Sequence, residues 1–138
     1  MNKTLLFVGG GLEAIPGINL AKEMGHTTVV SDLNPQAPGC LEADYILRAS
    51  TYDVPSSVVE ARNFSENSRS IDGVMSVASD IPLTVATIAA ELKLPGISIE
   101  SARLASDKLA MKEQFKKKGI NTPWFSEIYS ARDLEEVI

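Results

Sequence analysis

Apolar residues at positions 5–8 run directly into Gly9, Gly10 and Gly11, and apolar positions then recur at helical spacing through Ile15, Ile18, Ala21 and Met24. The pattern predicts a strand, a tight turn and a helix over residues 14–24, with Pro16 in the first turn and Gly25 as a left-handed stop. The β-branched run of residues 27–32 predicts a second strand that ends on an acid. Residues 34–39 are loop by composition, and residues 43–47 read as a third strand. A helix beginning near Pro55 covers 54–67. Residues 71–77 are mostly apolar and predict a fourth strand buried on both faces.

Asp80 reads as the cap of a helix from Pro82 to about residue 93, which is apolar around much of its circumference. A short strand or turn at 95–98 and a helix at 101–105 follow. Asp107 then caps a helix over 108–118, closed by the lysines at 116–118 and by Gly119. Residues 121–129 turn and re-enter as a strand, with Trp124 and Phe125 covering a core edge. A helical pattern at 131–138 has only two turns and no glycine stop, so it reads as a chain cut just inside its next unit, a fragment or a split subunit. Strands alternating with helices predict an α/β fold, a three-layer doubly wound Rossmann-like parallel sheet with ligands at the carboxyl ends of its strands. The expected division is a Rossmann-like domain over 1–105 and a linker helix with the start of a further domain over 106–138.

Composition narrows the function classes. Lys and Arg total 13 against 18 Asp and Glu, a formal net charge of -5, which argues against sequence-independent nucleic-acid binding. The single cysteine, Cys40, allows no internal disulfide and fits a reducing compartment. No apolar stretch approaches the ~20 residues of a membrane span, and the first residues show no signal-peptide pattern. The expectation is a cytoplasmic protein with neither membrane nor nucleic-acid partner. Apolar surface left by a severed domain would make a homodimer possible.

The candidate chemistry begins at the glycines. Gly9, Gly11 and Ala14 fit the loose dinucleotide pattern G-x-G-x-x-A, and Asp32 lies 18 residues after Ala14, close to where a ribose-binding acid would sit. A helix N-terminus with bare amides suits a phosphate or carboxylate. The plain alternative is a tight turn without a ligand. Glu13 beside that turn could orient a substrate amine or hydroxyl, or be a solvated acid favoured by the helix dipole. Asp32 could equally be an acid that begins the next turn. Asp80 is a helix cap or a lining residue of the same cleft. Lys108 stands in the first turn of its helix, where the dipole disfavours a cation, so a phosphate partner would account for it; a flexible surface lysine is the other reading. His26 reads as a surface turn residue, and Cys40 has no His partner near it in sequence. No metal-spaced His/Cys cluster and no G-x-x-x-x-G-K-[ST] loop occur.

Along its whole length the chain resembles the N-terminal, pre-ATP-grasp part of an ATP-grasp ligase, of the carbamoyl-phosphate-synthase-like, biotin-carboxylase-like or purine-pathway kind. The residues that carry this are Val8-Gly-Gly-Gly11 before a helix, Gly25-His-Thr-Thr-Val-Val-Ser-Asp32, and Ala37-Pro-Gly39 with Ala43-Asp44. The most specific is Ser106-Asp-Lys-Leu-Ala-Met-Lys112 with Lys118-Gly-Ile-Asn-Thr-Pro123. The resemblance implies use of ATP and Mg2+ to turn a carboxylate or bicarbonate substrate into an acyl phosphate, which an amine or similar nucleophile then attacks. It places substrate on Gly9, Gly10, Gly11, Leu12 and Glu13, with Asp32 and Asp80 as softer assignments. It places the ATP phosphates on Lys108. The family's main nucleotide lysines and magnesium ligands would lie in an ATP-grasp domain or subunit beyond this stretch, so the chain alone is expected to be inactive. Two rival readings stand beside this one: an NAD(P)-binding domain of a dehydrogenase, and a non-catalytic binding module.

Overall fold

The computed structural model describes residues 2–78, 80–135 and 137. The chain divides into two compact units, Met1–Ser106 and Asp107–Ile138.

In the first unit β1 (Thr4–Val8), β2 (Thr27–Ser31), β3 (Tyr45–Leu47) and β4 (Gly73–Met75) form one parallel sheet among the described residues, in the order β3-β2-β1-β4. Register pairs Val8 with Ser31, Phe7 with Met75, and Val29 with Tyr45. The period-2 alternation of the strands sorts their side chains to two faces. Leu6, Val8, Val29 and Leu47 pack with Ala61 and Phe64 of α3 (Val54–Asn67) and Ile88 of α4 (Pro82–Glu91). Phe7 and Val30 pack with Ile18 and Ala21 of α1 (Ile15–Glu23) and Cys40 of α2 (Pro38–Glu42). Helices therefore cover both faces, giving the expected three layers. Burying each of the larger of these side chains stabilises the fold by about 1.5–3 kcal/mol.

Local signals explain most boundaries. Gly25 ends the first helix with φ +79°, and its amide donates to Lys22 O at 2.9 Å. Asp53 caps α3, its carboxylate accepting from Ser56 N at 3.1 Å. Ser57, Ala61 and Phe64, spaced at four and three residues, form the buried stripe of that helix.

The structure also corrects several expectations. A 3-10 turn, Leu12–Ala14, precedes α1, so the α-helix proper starts one residue late. The 34–39 loop gives way to α2 at Pro38, because proline at the first helical position starts that short helix. The fourth strand is short and is not buried on both faces: among the described residues β4 pairs with β1 alone, and Met75 is 44% exposed. An apolar run records the chemistry of a strand and not whether a neighbour flanks it. Residues 95–98 form no strand, and the helix after them, α5, is Ile99–Ser106. Asp80 does not cap α4: the cap position is Ile81, with no side-chain hydrogen bond.

The second unit holds α6 (Lys108–Lys117) and the short α7 (Ala131–Glu135). Asp107 caps α6 as expected, its Oδ1 accepting from Leu109 N and Ala110 N, each at 3.0 Å. Gly119 follows with φ +67°. Residues 121–129 form no strand. No described residue of this unit is buried, and Lys112 Nζ lies 5.1 Å from the centroid of the Phe125 ring. Of the expected helical pattern at 131–138, Glu136 and Ile138 lie outside the described residues.

Candidate functional site

Strand order places a topological switch beside β1. The chain moves from β1 outward through β2 to β3, then crosses back through α3 to β4 on the other side of β1. In open parallel sheets the crevice at such a point, beyond the carboxyl ends of the strands, is where ligands bind. Residues 9–14 after β1, and 76–78 with 80–81 after β4, flank it.

The glycine turn is held firmly on one side. Gly9 has φ +97°, a conformation that glycine adopts without steric cost, and its amide donates to Ser31 O at 2.8 Å. The Gly10 amide donates to Asp32 Oδ2 at 2.9 Å, and Gly10 O accepts from Gly39 N at 2.7 Å. Asp32 Oδ1 accepts from Asn34 N at 2.9 Å. The loop and α2 pack backbone to backbone: a Cβ on Gly39 would lie 3.1 Å from both Gly10 Cα and Gly10 O, and a Cβ on Gly10 would lie 3.0 Å from Cys40 Sγ. Past Gly10 the pattern changes. The amides of Gly11, Leu12 and Glu13 have no hydrogen-bond acceptor among the described residues. Leu12 is 71% exposed. The Glu13 carboxylate folds back over Gly11, where any side chain on Gly11 would collide with it.

On the opposite flank Asp80 Oδ1 accepts from Tyr52 OH at 2.9 Å. This bond, with the charge of the carboxylate, holds the Tyr52 hydroxyl above its ordinary pKa. Thr84 Oγ1 donates to Thr51 O at 2.6 Å, and Ser57 Oγ to Ser50 O at 2.9 Å, so the loop carrying Tyr52 is tied to both α3 and α4. A cavity of about 270 Å³ opens here, lined by Tyr52, Val54, Asp80, Ile81, Leu83 and Thr84 among others. Ala78, three residues past β4, has φ +50°, an uncommon conformation for a residue with a side chain. Backbone strain of this kind clusters at ligand-binding loops.

The sequence-predicted residues of the first unit thus follow the strands at one end of the sheet: Gly9, Gly10 and Gly11 with Leu12 and Glu13 of the 3-10 turn after β1, Asp32 after β2, Asp80 after β4. Lys108 belongs to the second unit, in the first turn of α6. That unit has a cleft of its own, about 570 Å³, lined by Glu113, Lys116, Lys117, Trp124 and Phe125 with Thr122 and Pro123. Sequence reasoning missed Gly39 and Tyr52. The Pro38-Gly39 pair was visible as punctuation, but nothing local shows that it abuts Gly10. Cys40, buried among Phe7, Ile18 and Val30, has its thiol pKa raised first by burial and then by the Asp32 charge, which fits a packing residue. His26 is half-buried in the turn before β2, where its ring Nδ1 accepts from Lys3 N at 3.4 Å. Among the described residues no group of His, Cys, Asp and Glu side chains is assembled to hold a metal ion, and no helix is long and apolar enough to cross a membrane.

Comparison with known proteins gives this geometry its class. No protein-family model matches the chain. It is similar to the 3-methyl-D-ornithine–L-lysine ligase of Methanosarcina barkeri, 30% identical over 124 residues that make up 88% of this chain and 32% of that protein. Phosphoribosylglycinamide synthetase from Anaerococcus prevotii superimposes with a TM-score of 0.80 at 26% identity, over 99% of this chain and 34% of its own. N5-carboxyaminoimidazole synthetase from Staphylococcus aureus, solved with ADP, superimposes with a TM-score of 0.73 at 18% identity, over 98% of this chain and 34% of its own. These relatives are ATP-grasp ligases, and the chain spans about a third of their length. The chain has the fold of the N-terminal domain of ATP-grasp ligases, as its residues suggested.

Proposed function

We propose that the chain is the substrate-binding N-terminal domain of a cytoplasmic ATP-dependent carboxylate ligase. The observation that carries this is the loop after β1 at the sheet's switch point, where Gly11, Leu12 and Glu13 present amides without acceptors among the described residues. Gly9 and Gly10 shape that loop, and Glu13, with Asp32 and Asp80, gives it an acidic setting. That setting suits the cationic amine of an amino-acid-like substrate as well as the backbone amides suit its carboxylate. The Methanosarcina barkeri relative is a ligase of 3-methyl-D-ornithine and L-lysine, two such compounds.

In this reading Lys108 meets the ATP phosphates. ATP and Mg2+ supply the phosphoryl group that activates a carboxylate or bicarbonate as an acyl phosphate. As the resemblance implies, the magnesium ligands belong in this reading to an ATP-grasp domain or subunit that completes the enzyme. The 138 residues alone are inactive.

Calorimetric titration of the chain with L-lysine, NAD and ATP·Mg2+, beside an assay for ADP release, tests the proposal. The expected result is heat with the amino acid, none with NAD, and no ADP release. Tight NAD binding returns the dehydrogenase reading, and ADP release by the chain alone overturns the claim of inactivity.

A further inference from the structure

Gly10 is gripped by one short segment through both of the peptide units that flank its Cα. Asp32 takes its amide at 2.9 Å and Gly39 donates to its carbonyl at 2.7 Å. The segment between these two residues is itself tied down. Asn34 N donates to Asp32 Oδ1 at 2.9 Å, Gln36 N to Asn34 Oδ1 at 3.0 Å, and Ala37 N to Asn34 O at 2.9 Å. Ala37 and Cys40 are buried in the cluster that holds Phe7, Ala14 and Ile18, so the grip is rooted in the core. Both oxygens of the Asp32 carboxylate are engaged by backbone amides. Gly10 is the last loop residue so held, and the amides directly after it carry no acceptor among the described residues.

We propose that Asp32 and Gly39 are positioning residues: Asp32 fixes the Gly9–Gly10 peptide plane through the Gly10 amide, Gly39 fixes the Gly10–Gly11 plane through the Gly10 carbonyl, and together they aim the amides of Gly11, Leu12 and Glu13 at the crevice. Asp32 acts through the loop and not by touching substrate. The functional consequence rests on the substrate loop proposed above, whereas the grip itself does not. Its physical basis is that a carboxylate accepting backbone amides makes the stronger, charge-assisted kind of hydrogen bond, and that two glycines in backbone contact leave no room for a side chain on either.

The test is amide hydrogen exchange and ¹H–¹⁵N shift mapping on the full 138-residue chain, with L-lysine and inorganic phosphate as the two probes. In Asp32→Ala the Gly10 amide exchanges at least about tenfold faster, equivalent to about 1.4 kcal/mol, while Gly9, bonded to Ser31 O, keeps its protection. Asp32→Asn, which retains one acceptor oxygen, restores part of the Gly10 protection. Gly39→Ala shifts the Gly11, Leu12 and Glu13 resonances and weakens whichever probe the wild-type loop binds by at least about tenfold, again about 1.4 kcal/mol. Unchanged Gly10 exchange in Asp32→Ala overturns the proposal. So does equal acceleration at Gly9, Gly10 and the Val29–Val30 amides, which would mean general loosening. If neither probe moves the loop resonances of the wild-type chain, the substrate loop is refuted, and the exchange of Gly10 against Gly9 still decides the grip.

Discussion

Two regions of this molecule are built by different rules. Between Met1 and Ser106, Leu6, Phe7, Ile18 and Val29 are each at most 1% exposed, and every strand faces helices. Between Asp107 and Ile138 no described residue is buried, yet Ile120, Trp124, Ile128 and Tyr129 are large, apolar and exposed. The helices of the second region rest on local devices: the Asp107 cap, and the Asp133 carboxylate that accepts from Tyr129 N at 2.8 Å and Ser130 N at 2.9 Å. The contrast teaches that capping and turn chemistry can shape a helix without giving it a core.

That contrast can be broken by mutation. Phe7→Ala removes a side chain buried in the first region and is expected to cost about 3–5 kcal/mol, read as a drop in the urea midpoint of the full chain. Asp107→Ala removes a cap in the second region. It is expected to cost about 1 kcal/mol of local helix stability, seen as faster exchange at Leu109 and Ala110 with the global urea midpoint unmoved.

Acid sharpens the comparison further. Asp44 is held below the ordinary aspartate range, first by the backbone amide of Thr28 and further by the Thr28 hydroxyl and the Lys22 charge. A depressed native pKa contributes stability that is complete above the unfolded value, about 4, and is lost as the pH falls through the native value. The global midpoint should therefore decline over that interval, and Asp44→Asn should flatten the decline. Asp133 is also lowered, first by the Tyr129 amide and then by Ser130, but its protonation should free only the Tyr129 and Ser130 amides to exchange. The smallest effect is expected from Trp124→Ala. The residue is 76% exposed, and the global stability read from the midpoint should change by less than about 0.5 kcal/mol. A larger loss would show that the second region has an interior after all.

Much of this architecture was legible in advance because its signals are local. Pro55 and the residues after it marked α3 to its observed ends, Asp107 announced α6, and Gly25 and Gly119 announced the stops. The glycine turn and the acid ending β2 were equally plain. What escaped depends on partners distant in sequence. The exposure of Met75 follows from the sheet order and not from the composition of β4. Asp80 looked like a cap because it precedes Pro82, whereas its hydroxyl partner, Tyr52, is 28 residues away. Gly39 meets Gly10 across 29 positions, and no spacing rule joins them.

Cys40 turns that last meeting into a clock. Its thiol lies behind Gly10, screened from solvent and biased toward the unreactive protonated form. A thiol-alkylating reagent must wait until residues 37–40 part from the glycine turn. The rate at which the native chain is alkylated therefore follows the population of that open state, without an introduced label, and any ligand that seats on the turn should slow it.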